Sequence, residues 1–189
     1  VENGKITAIG AEVKVPYDAV EVDASGKVLF PGMIDPHTAR GLDVANENLP
    51  VTPFVDVYDA LDPSSLFFED SLRDGVASVH LIPGNNCVIG GLSRVVRPIG
   101  RTPDEMTVRE RLALKFSTSP KGGFDRMVQM ESLRETFAEL DEYLAGVAEG
   151  KYEESLKEKK EEIDVSPEEA RKRGAKIVRD EDIDDKHRN

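Results

Sequence analysis

The chain has 189 residues, of which 33% are charged and 6% are aromatic, and its formal net charge is −12. This length is enough for one domain with a hydrophobic core. The acidic balance argues against nucleic acid as a partner, because phosphate binding requires clustered Lys and Arg. One cysteine, Cys87, excludes an internal disulfide framework and a cysteine-rich metal site. No apolar run approaches the ~18 residues of a membrane span, so we expect no membrane partner and a cytoplasmic location.

Residues 1–30 have the pattern of β structure. Asn3-Gly4 is a favoured two-residue hairpin turn. A second turn, Asp23-Ala24-Ser25-Gly26, separates the apolar stretches at residues 20–22 and 28–30. This segment therefore predicts short strands joined by tight turns.

The most informative segment is an apolar run that ends in Asp and His. It reads Phe30-Pro31-Gly32-Met33-Ile34-Asp35-Pro36-His37-Thr38-Ala39-Arg40-Gly41. The run predicts a strand that carries Asp35 and His37 at its end. Residues 41–60 contain two prolines and little apolar periodicity, so they predict a loop.

A helix and a second strand are predicted over residues 62–82. Asp62 is a suitable N-cap before Pro63 at the first helical position, and Gly75 is a stop signal. Residues 76–82 then form a short apolar strand pattern that Pro83-Gly84 ends. Strand, helix and strand in this order are typical of the parallel unit of α/β folds.

Residues 101–189 form a helical, highly charged block. Thr102 and Glu105 fit a capping box at the start of one helix, while Ser166 and Gly174 mark the start and stop of another. Between them, a stripe of apolar residues at helical spacing predicts a helix of about five turns that ends at Gly150. The stripe consists of Met130, Leu133, Phe137, Leu140, Leu144 and Val147.

The apolar stripe has two interpretations. It fits a coiled-coil seam, but it extends over fewer than about three heptads, and packing on the protein's own core or on a neighbouring subunit is favoured. In that case four stripe residues should be covered: Leu133, Phe137, Leu140 and Leu144. Glu135, Glu139 and Glu142 should face solvent.

Three blocks of the sequence, in this order, resemble the amidohydrolase superfamily, in particular its imidazolonepropionase-like and dihydroorotase-like branches. They are the hairpin pattern at residues 1–32, the strand end at residues 31–41 and the strand with its glycine-rich loop at residues 74–91. The resemblance covers roughly residues 1–100. It implies an α/β fold in which residues 1–30 belong to a small β-sandwich, residues 31–100 are the first βα units of a TIM (β/α)8 barrel, and residues 101–189 are a helical insertion.

Such a barrel typically needs about 250 residues, so the chain would form only part of one. We therefore interpret it as the N-terminal segment of a longer protein, whose own N-terminus and any signal peptide lie outside it. A complete small domain is the alternative. The partners implied are the remainder of the same protein, or a second chain that completes the barrel, together with further copies in a homo-oligomer.

The resemblance also implies a metal ion at the end of the first barrel strand. Two imidazoles two residues apart point to the same side of a strand and can chelate one ion. His37 holds the first position of this pair and is the candidate metal ligand, with zinc as the expected ion, whereas Ala39 holds the second. A methyl group coordinates nothing, so we expect this segment alone to bind no ion. The family's further ligands, a carboxylated Lys, two more His and a catalytic Asp, have no recognisable counterpart in residues 101–189.

Other reactive side chains are interpreted as structural. Asp35 is expected to hold the strand end by hydrogen bonds, His80 to be a hydrogen-bonded core residue, and His187 to be solvated. Cys87 has no neighbouring base in the sequence, so a nucleophilic role is not favoured. The sequence assigns no catalytic and no substrate-binding residue.

Two functions fit this reading. The first is the N-terminal part of a hydrolase that cleaves a cyclic amide or related non-peptide C–N bond with metal-activated water, inactive without its remainder. The second is a non-catalytic homologue that uses the scaffold for binding or assembly, which Ala39 favours.

Overall fold

The structure, a computed structural model, describes residues 1–159, 165–184 and 187, and it divides into the units Val1–Pro31 and Gly32–Asn189. Within the first unit, a bridge between Glu2 and Lys5 closes the turn at Asn3-Gly4. The second turn is closed by a hydrogen bond from the Lys27 N–H to the Ala24 carbonyl, 2.9 Å long. No strand longer than this bridge forms within residues 1–31. A lone hairpin is at best marginally stable, and the β-sandwich stays a prediction.

The second unit is a mixed α/β structure. Its described strands and helices follow the order β1 (Met33–Thr38), α1 (Leu66–Arg73), β2 (Val76–Leu81), β3 (Ile89–Leu92), β4 (Arg94–Val96), α2 (Pro103–Met106), β5 (Thr107–Arg109), β6 (Leu114–Phe116), α3 (Arg126–Lys159) and α4 (Pro167–Gly174).

Strands β1 and β2 pair in parallel, with α1 between them in the chain, as the pattern predicts for a βαβ unit. The sheet continues through antiparallel pairings in the order β1-β2-β4-β5, and β3 and β6 form a separate antiparallel pair. The described residues thus form two open sheets and no closed barrel.

A hydrophobic core lies between α1 and the larger sheet. It contains Val57, Leu61, Phe68, Val79, Leu81, Val96 and Met106, all buried. Gly75, with a φ of +81°, turns the chain from α1 into β2, as its stop-signal role predicts. The helix itself begins at Leu66 rather than near Asp62, because the Asp62 carboxylate accepts hydrogen bonds from the N–H and hydroxyl of Ser64 and forms a turn there.

The block at residues 101–189 differs from its predicted pattern in two respects. It includes the short strands β5 and β6, and α3 continues past Gly150 to Lys159. The last turns of α3 are stabilised by packing on α4, where Tyr152 and Leu156 bury Ala170. The two helices approach so closely that a Cβ on Gly174 would lie 1.7 Å from the Ala148 carbonyl oxygen. Packing against α4 therefore keeps α3 helical past Gly150, although glycine is a poor helix former.

The apolar stripe of α3 is only partly covered. Leu133, Leu140 and Leu144 are half-buried, while Phe137 keeps 46% of its surface exposed and stacks on Phe116. The glutamates at 135, 139 and 142 are exposed, as predicted. The expectation that all four stripe residues are well covered is wrong for Phe137, because its ring lies at the edge of an apolar groove of about 310 Å³ beside β6.

Candidate functional site at the end of strand β1

His37 lies at the carboxyl end of β1, where local hydrogen bonds determine the course of the backbone. The Asp35 carboxylate accepts a hydrogen bond from the His37 N–H at 3.2 Å, which agrees with its predicted structural role. The Thr38 hydroxyl accepts from the Arg40 N–H at 3.1 Å. The Thr38 carbonyl accepts from the Ile82 N–H at 2.9 Å and joins the end of β1 to that of β2. The His37 side chain is exposed.

His80, half-buried on β2, supports the residue before His37 through hydrogen bonds. His80 Nδ1 lies 2.9 Å from the carbonyl oxygen of Pro36, and its Nε2 lies 2.7 Å from the hydroxyl of Ser93. A carbonyl only accepts, so Nδ1 carries the proton. In the neutral ring Nε2 is then an acceptor, so the Ser93 hydroxyl, which accepts from the Ala113 N–H, donates to Nε2. His80 is thus a hydrogen-bonded residue of β2 that connects β1 with Ser93, the residue between β3 and β4.

Lys115 approaches His37 from a distant part of the chain. It lies on β6, is only 6% exposed, and its Nζ is 3.4 Å from His37 Nε2 and 2.6 Å from Asn85 Oδ1. Sequence reasoning missed Lys115 and Asn85. The only available signal was a lysine within a short apolar segment, Leu114-Lys115-Phe116.

Gly90 makes room for the lysine stem. A Cβ at this position would lie 3.1 Å from both Cβ and Cγ of Lys115 and 3.2 Å from Cys87 Sγ. Contacts this short are rarely tolerated without a shift of the neighbours. The Lys115 side chain therefore passes close to the Gly90 backbone, where any side chain would crowd it.

The loop at residues 84–88, which carries Asn85, is held in place by hydrogen bonds from other parts of the chain. Asn46 anchors its start, with Nδ2 donating to the Gly84 carbonyl at 2.8 Å. The Ser117 hydroxyl donates to the Asn85 carbonyl at 2.8 Å. Gln129, 1% exposed, donates to the Cys87 carbonyl at 2.9 Å. The loop that follows β2 is thus fastened to α3 and to the residue that follows β6.

Cys87 is a buried thiol in this loop. Burial raises the pKa of the thiol, and the positive charges of Lys115 and Lys121 only partly oppose this effect. A raised pKa leaves less of the reactive thiolate near neutral pH. This agrees with the interpretation that Cys87 is not a nucleophile.

A cavity of about 240 Å³ lies beside the same loop. Its lining includes Cys87 and Gly90, together with the carboxylates of Asp43, Asp56 and Asp59, but neither His37 nor Lys115. The Asp56 carboxylate is paired with the buried guanidinium of Arg94 at 3.2 Å. The cavity and the strand-end cluster of His37, Lys115 and Asn85 are therefore neighbouring but separate features.

The strand-end cluster does not fit a divalent cation as it stands. Among the described residues, no group of three or more His, Cys, Asp or Glu side chains has the arrangement of a metal site. Ala39 supplies no ligand, and the Asp35 carboxylate is engaged with the backbone. The ammonium group beside His37 would also repel a cation. His37 lies where the resemblance expects a metal ligand, but the described part of the chain places no second ligand beside it.

The remaining histidine, His187, is not the solvated residue that the sequence suggests. Its ring stacks on Tyr143 with 3.9 Å between ring centres. The Tyr143 hydroxyl accepts a hydrogen bond from the Asp184 N–H at 2.9 Å, so this C-terminal segment is fastened to α3.

Comparison with known proteins gave a match among solved structures. No protein-family model and no curated protein matches the chain. Among solved structures, the chain is similar to an amidohydrolase from Thermotoga maritima MSB8, with 28% identity and a TM-score of 0.69 over 91% of this chain. The match covers 49% of that chain, so the present chain spans about half its length. The neighbour supports the amidohydrolase fold. In the part of the chain that the structure describes, no helix is long and apolar enough to span a membrane.

Proposed function

We propose that the chain is the N-terminal part of an amidohydrolase-like hydrolase that cleaves a cyclic amide or a related non-peptide carbon–nitrogen bond. The observation that carries the proposal is the placement of His37 at the carboxyl end of β1, within a parallel β1-α1-β2 unit. Enzymes built on (β/α)8 barrels gather their functional residues at this end of the strands. The similarity to a solved amidohydrolase supports the same reading.

In this proposal β1 and β2 are the first strands of a partial barrel that is completed by the remainder of the protein or by a second chain. We also propose that the enzyme resembles imidazolonepropionases or dihydroorotases and that it assembles into a homo-oligomer. A bound zinc ion would need ligands from outside the described residues, because His37 stands without a second ligand. The chain alone is therefore expected to be inactive.

A second candidate function is a non-catalytic homologue that acts as a binding or assembly subunit. Two observations favour it: Ala39 in the second ligand position, and the Lys115 ammonium in contact with the remaining imidazole. This candidate keeps the fold and needs no hydrolytic centre.

Activity measurements separate the two candidates. The full-length protein and the 189-residue chain are assayed against dihydropyrimidines, hydantoins and imidazolones, with and without added zinc. The hydrolase proposal predicts turnover by the full-length protein that falls at least about tenfold in His37→Ala, while Glu139→Ala, an exposed change on α3, retains it. Absence of turnover by a folded full-length protein across the panel would favour the non-catalytic homologue.

A further inference from the structure

The turn at Asn3-Gly4 is exposed to water, as are all residues from 1 to 31. A bridge between Glu2 and Lys5 closes the turn, with two backbone hydrogen bonds of 2.9 and 3.0 Å. Exposed hydrogen bonds in a short hairpin break and re-form readily, because no buried apolar surface is lost when they open. The backbone at Asn3 can therefore leave its turn conformation at low cost.

The two groups that can react with each other in this turn are unoccupied. Among the described residues, neither the side-chain amide of Asn3 nor the N–H of Gly4 has a hydrogen-bond partner. A bond between Asn3 Cγ and the Gly4 nitrogen closes a succinimide ring. Gly4 does not hinder this approach, because it has no Cβ and its backbone, with a φ of +75°, is free to adopt other conformations.

We propose that Asn3 is a site of spontaneous deamidation. The Gly4 nitrogen attacks Asn3 Cγ, the bond from Cγ to Nδ2 breaks, and Nδ2 leaves as ammonia with the proton that Gly4 gives up. Water then opens the succinimide at either of its carbonyl groups. Opening at the backbone carbonyl yields isoaspartate, and opening at the side-chain carbonyl yields aspartate. The net reaction consumes water and releases ammonia, with no oxidant and no reductant.

The other described asparagines lack this combination of features. Hydrogen bonds of 2.6 to 2.8 Å hold the side-chain amides of Asn46, Asn85 and Asn86. Asn48 is exposed, but it precedes Leu49, whose branched side chain hinders the approach of its own backbone nitrogen. Asn48 is therefore the internal reference for Asn3 within the same chain.

Deamidation changes the hairpin in two ways. Isoaspartate adds a methylene to the backbone inside the turn, so Glu2 and Lys5 no longer face each other at hydrogen-bonding distance. Both products also place a carboxylate beside that of Glu2. This inference goes beyond the proposed function, because it concerns a covalent change within residues 1–5 and not the reaction at the strand end.

Incubation of the 189-residue chain at mildly alkaline pH tests the proposal. Samples are digested at successive times, and mass spectrometry follows the replacement of the amide NH2 by OH. Chromatography separates the peptides that contain isoaspartate from those that contain aspartate. Asn3 should convert at least about tenfold faster than Asn48, with isoaspartate as the larger product. Equal rates at the two positions would overturn the proposal, as would aspartate as the only product, since direct hydrolysis of the amide yields aspartate alone.

Variants at the turn then test the attacking group. Gly4→Ala should slow the conversion of Asn3 at least about tenfold, because the added Cβ hinders the Gly4 nitrogen. Gly26→Ala is the matched control: Gly26 also lies in an exposed turn, its φ is +72°, and an added Cβ meets nothing within 4 Å at either glycine. Gly26→Ala should leave the rate at Asn3 unchanged. An unaltered rate in Gly4→Ala, or equal slowing by the two changes, would contradict the proposal. The readout is a covalent product, so it remains decisive even if Gly4→Ala loses the hairpin.

Discussion

Gln129 on α3 and Cys87 in the loop after β2 are joined by a buried hydrogen bond of 2.9 Å from Gln129 Nε2 to the Cys87 carbonyl. The same amide nitrogen donates to the Ser117 carbonyl at 2.9 Å, and Oε1 accepts from the Lys121 N–H at 3.1 Å. One side chain thus satisfies groups from three segments. It holds the loop that carries Asn85 next to the residues following β6, and so it helps to position the strand-end cluster.

Replacing Gln129 by Leu should destabilise the protein by about 2–4 kcal/mol, because the carbonyls of Cys87 and Ser117 would lose a buried donor at a cost of about 1–3 kcal/mol each. Urea unfolding followed by circular dichroism measures the effect. Glu135→Leu on the exposed face of the same helix is the control and should change stability by less than about 0.5 kcal/mol. Equal effects of the two changes would contradict the role given to Gln129.

Gly90→Ala should cost about 1–3 kcal/mol, because the added Cβ would crowd the Lys115 stem at 3.1 Å. Gly146→Ala is a matched control inside α3, where an added Cβ meets nothing within 4 Å. That change should stabilise the protein by about 0.5–1 kcal/mol, since Ala loses less conformational entropy in a helix than Gly. The changes in the free energy of unfolding relative to wild type should therefore have opposite signs for the two variants.

Asp56→Asn should destabilise the protein by about 3 kcal/mol, because it leaves the buried Arg94 guanidinium without its closest carboxylate. The Arg94 side chain is only 7% exposed, so water cannot replace the lost charge. The control is Glu69→Gln, which breaks an exposed pair with Arg73 on α1 and should cost less than about 1 kcal/mol. Thermal unfolding of both variants against wild type measures the difference, and a cost for Asp56→Asn as small as that of the control would refute it.

The Cys87 thiol should make stability depend on pH in the alkaline range. Burial raises its folded-state pKa above the unfolded value of about 8.5. The folded chain therefore keeps the proton longer than the unfolded chain. Its stabilisation is complete below the unfolded pKa and is lost as the pH rises through the folded pKa. The free energy of unfolding should fall with pH above about 8.5, and less steeply in Cys87→Ala. Parallel curves for the two proteins would count against this assignment.

Phe137→Ala should cost about 1–2 kcal/mol, less than the 3–5 kcal/mol typical of a buried phenylalanine. The ring remains 46% exposed, and its stacking on Phe116 at 6.1 Å accounts for much of the loss. Phe68→Ala is the comparison, because Phe68 is 3% exposed in the core between α1 and the sheet. Chemical denaturation of both variants gives the ranking, and an equal cost would mean that the α3 groove is covered in solution.

Several features of the fold follow from local sequence alone. Gly75 ends α1 because a positive φ suits glycine, and Thr102 caps α2 through the Glu105 N–H. The apolar run from Met33 produces a strand that carries His37 at its end. These outcomes depend on neighbours within a few residues, which a sequence pattern records directly.

The candidate site itself depended on tertiary structure. His37 and its position at a strand end were predictable from the run that precedes it, but Lys115 lies 78 residues away and meets it only because β6 pairs with β3 beside the loop after β2. The continuation of α3 past Gly150 has the same origin, in packing against Ala170 of α4. Local sequence determined where the chain turns, caps and extends, through backbone conformation and short-range hydrogen bonds. Only long-range packing decided which charged side chain lies beside His37, because burial and pairing are properties of the folded whole.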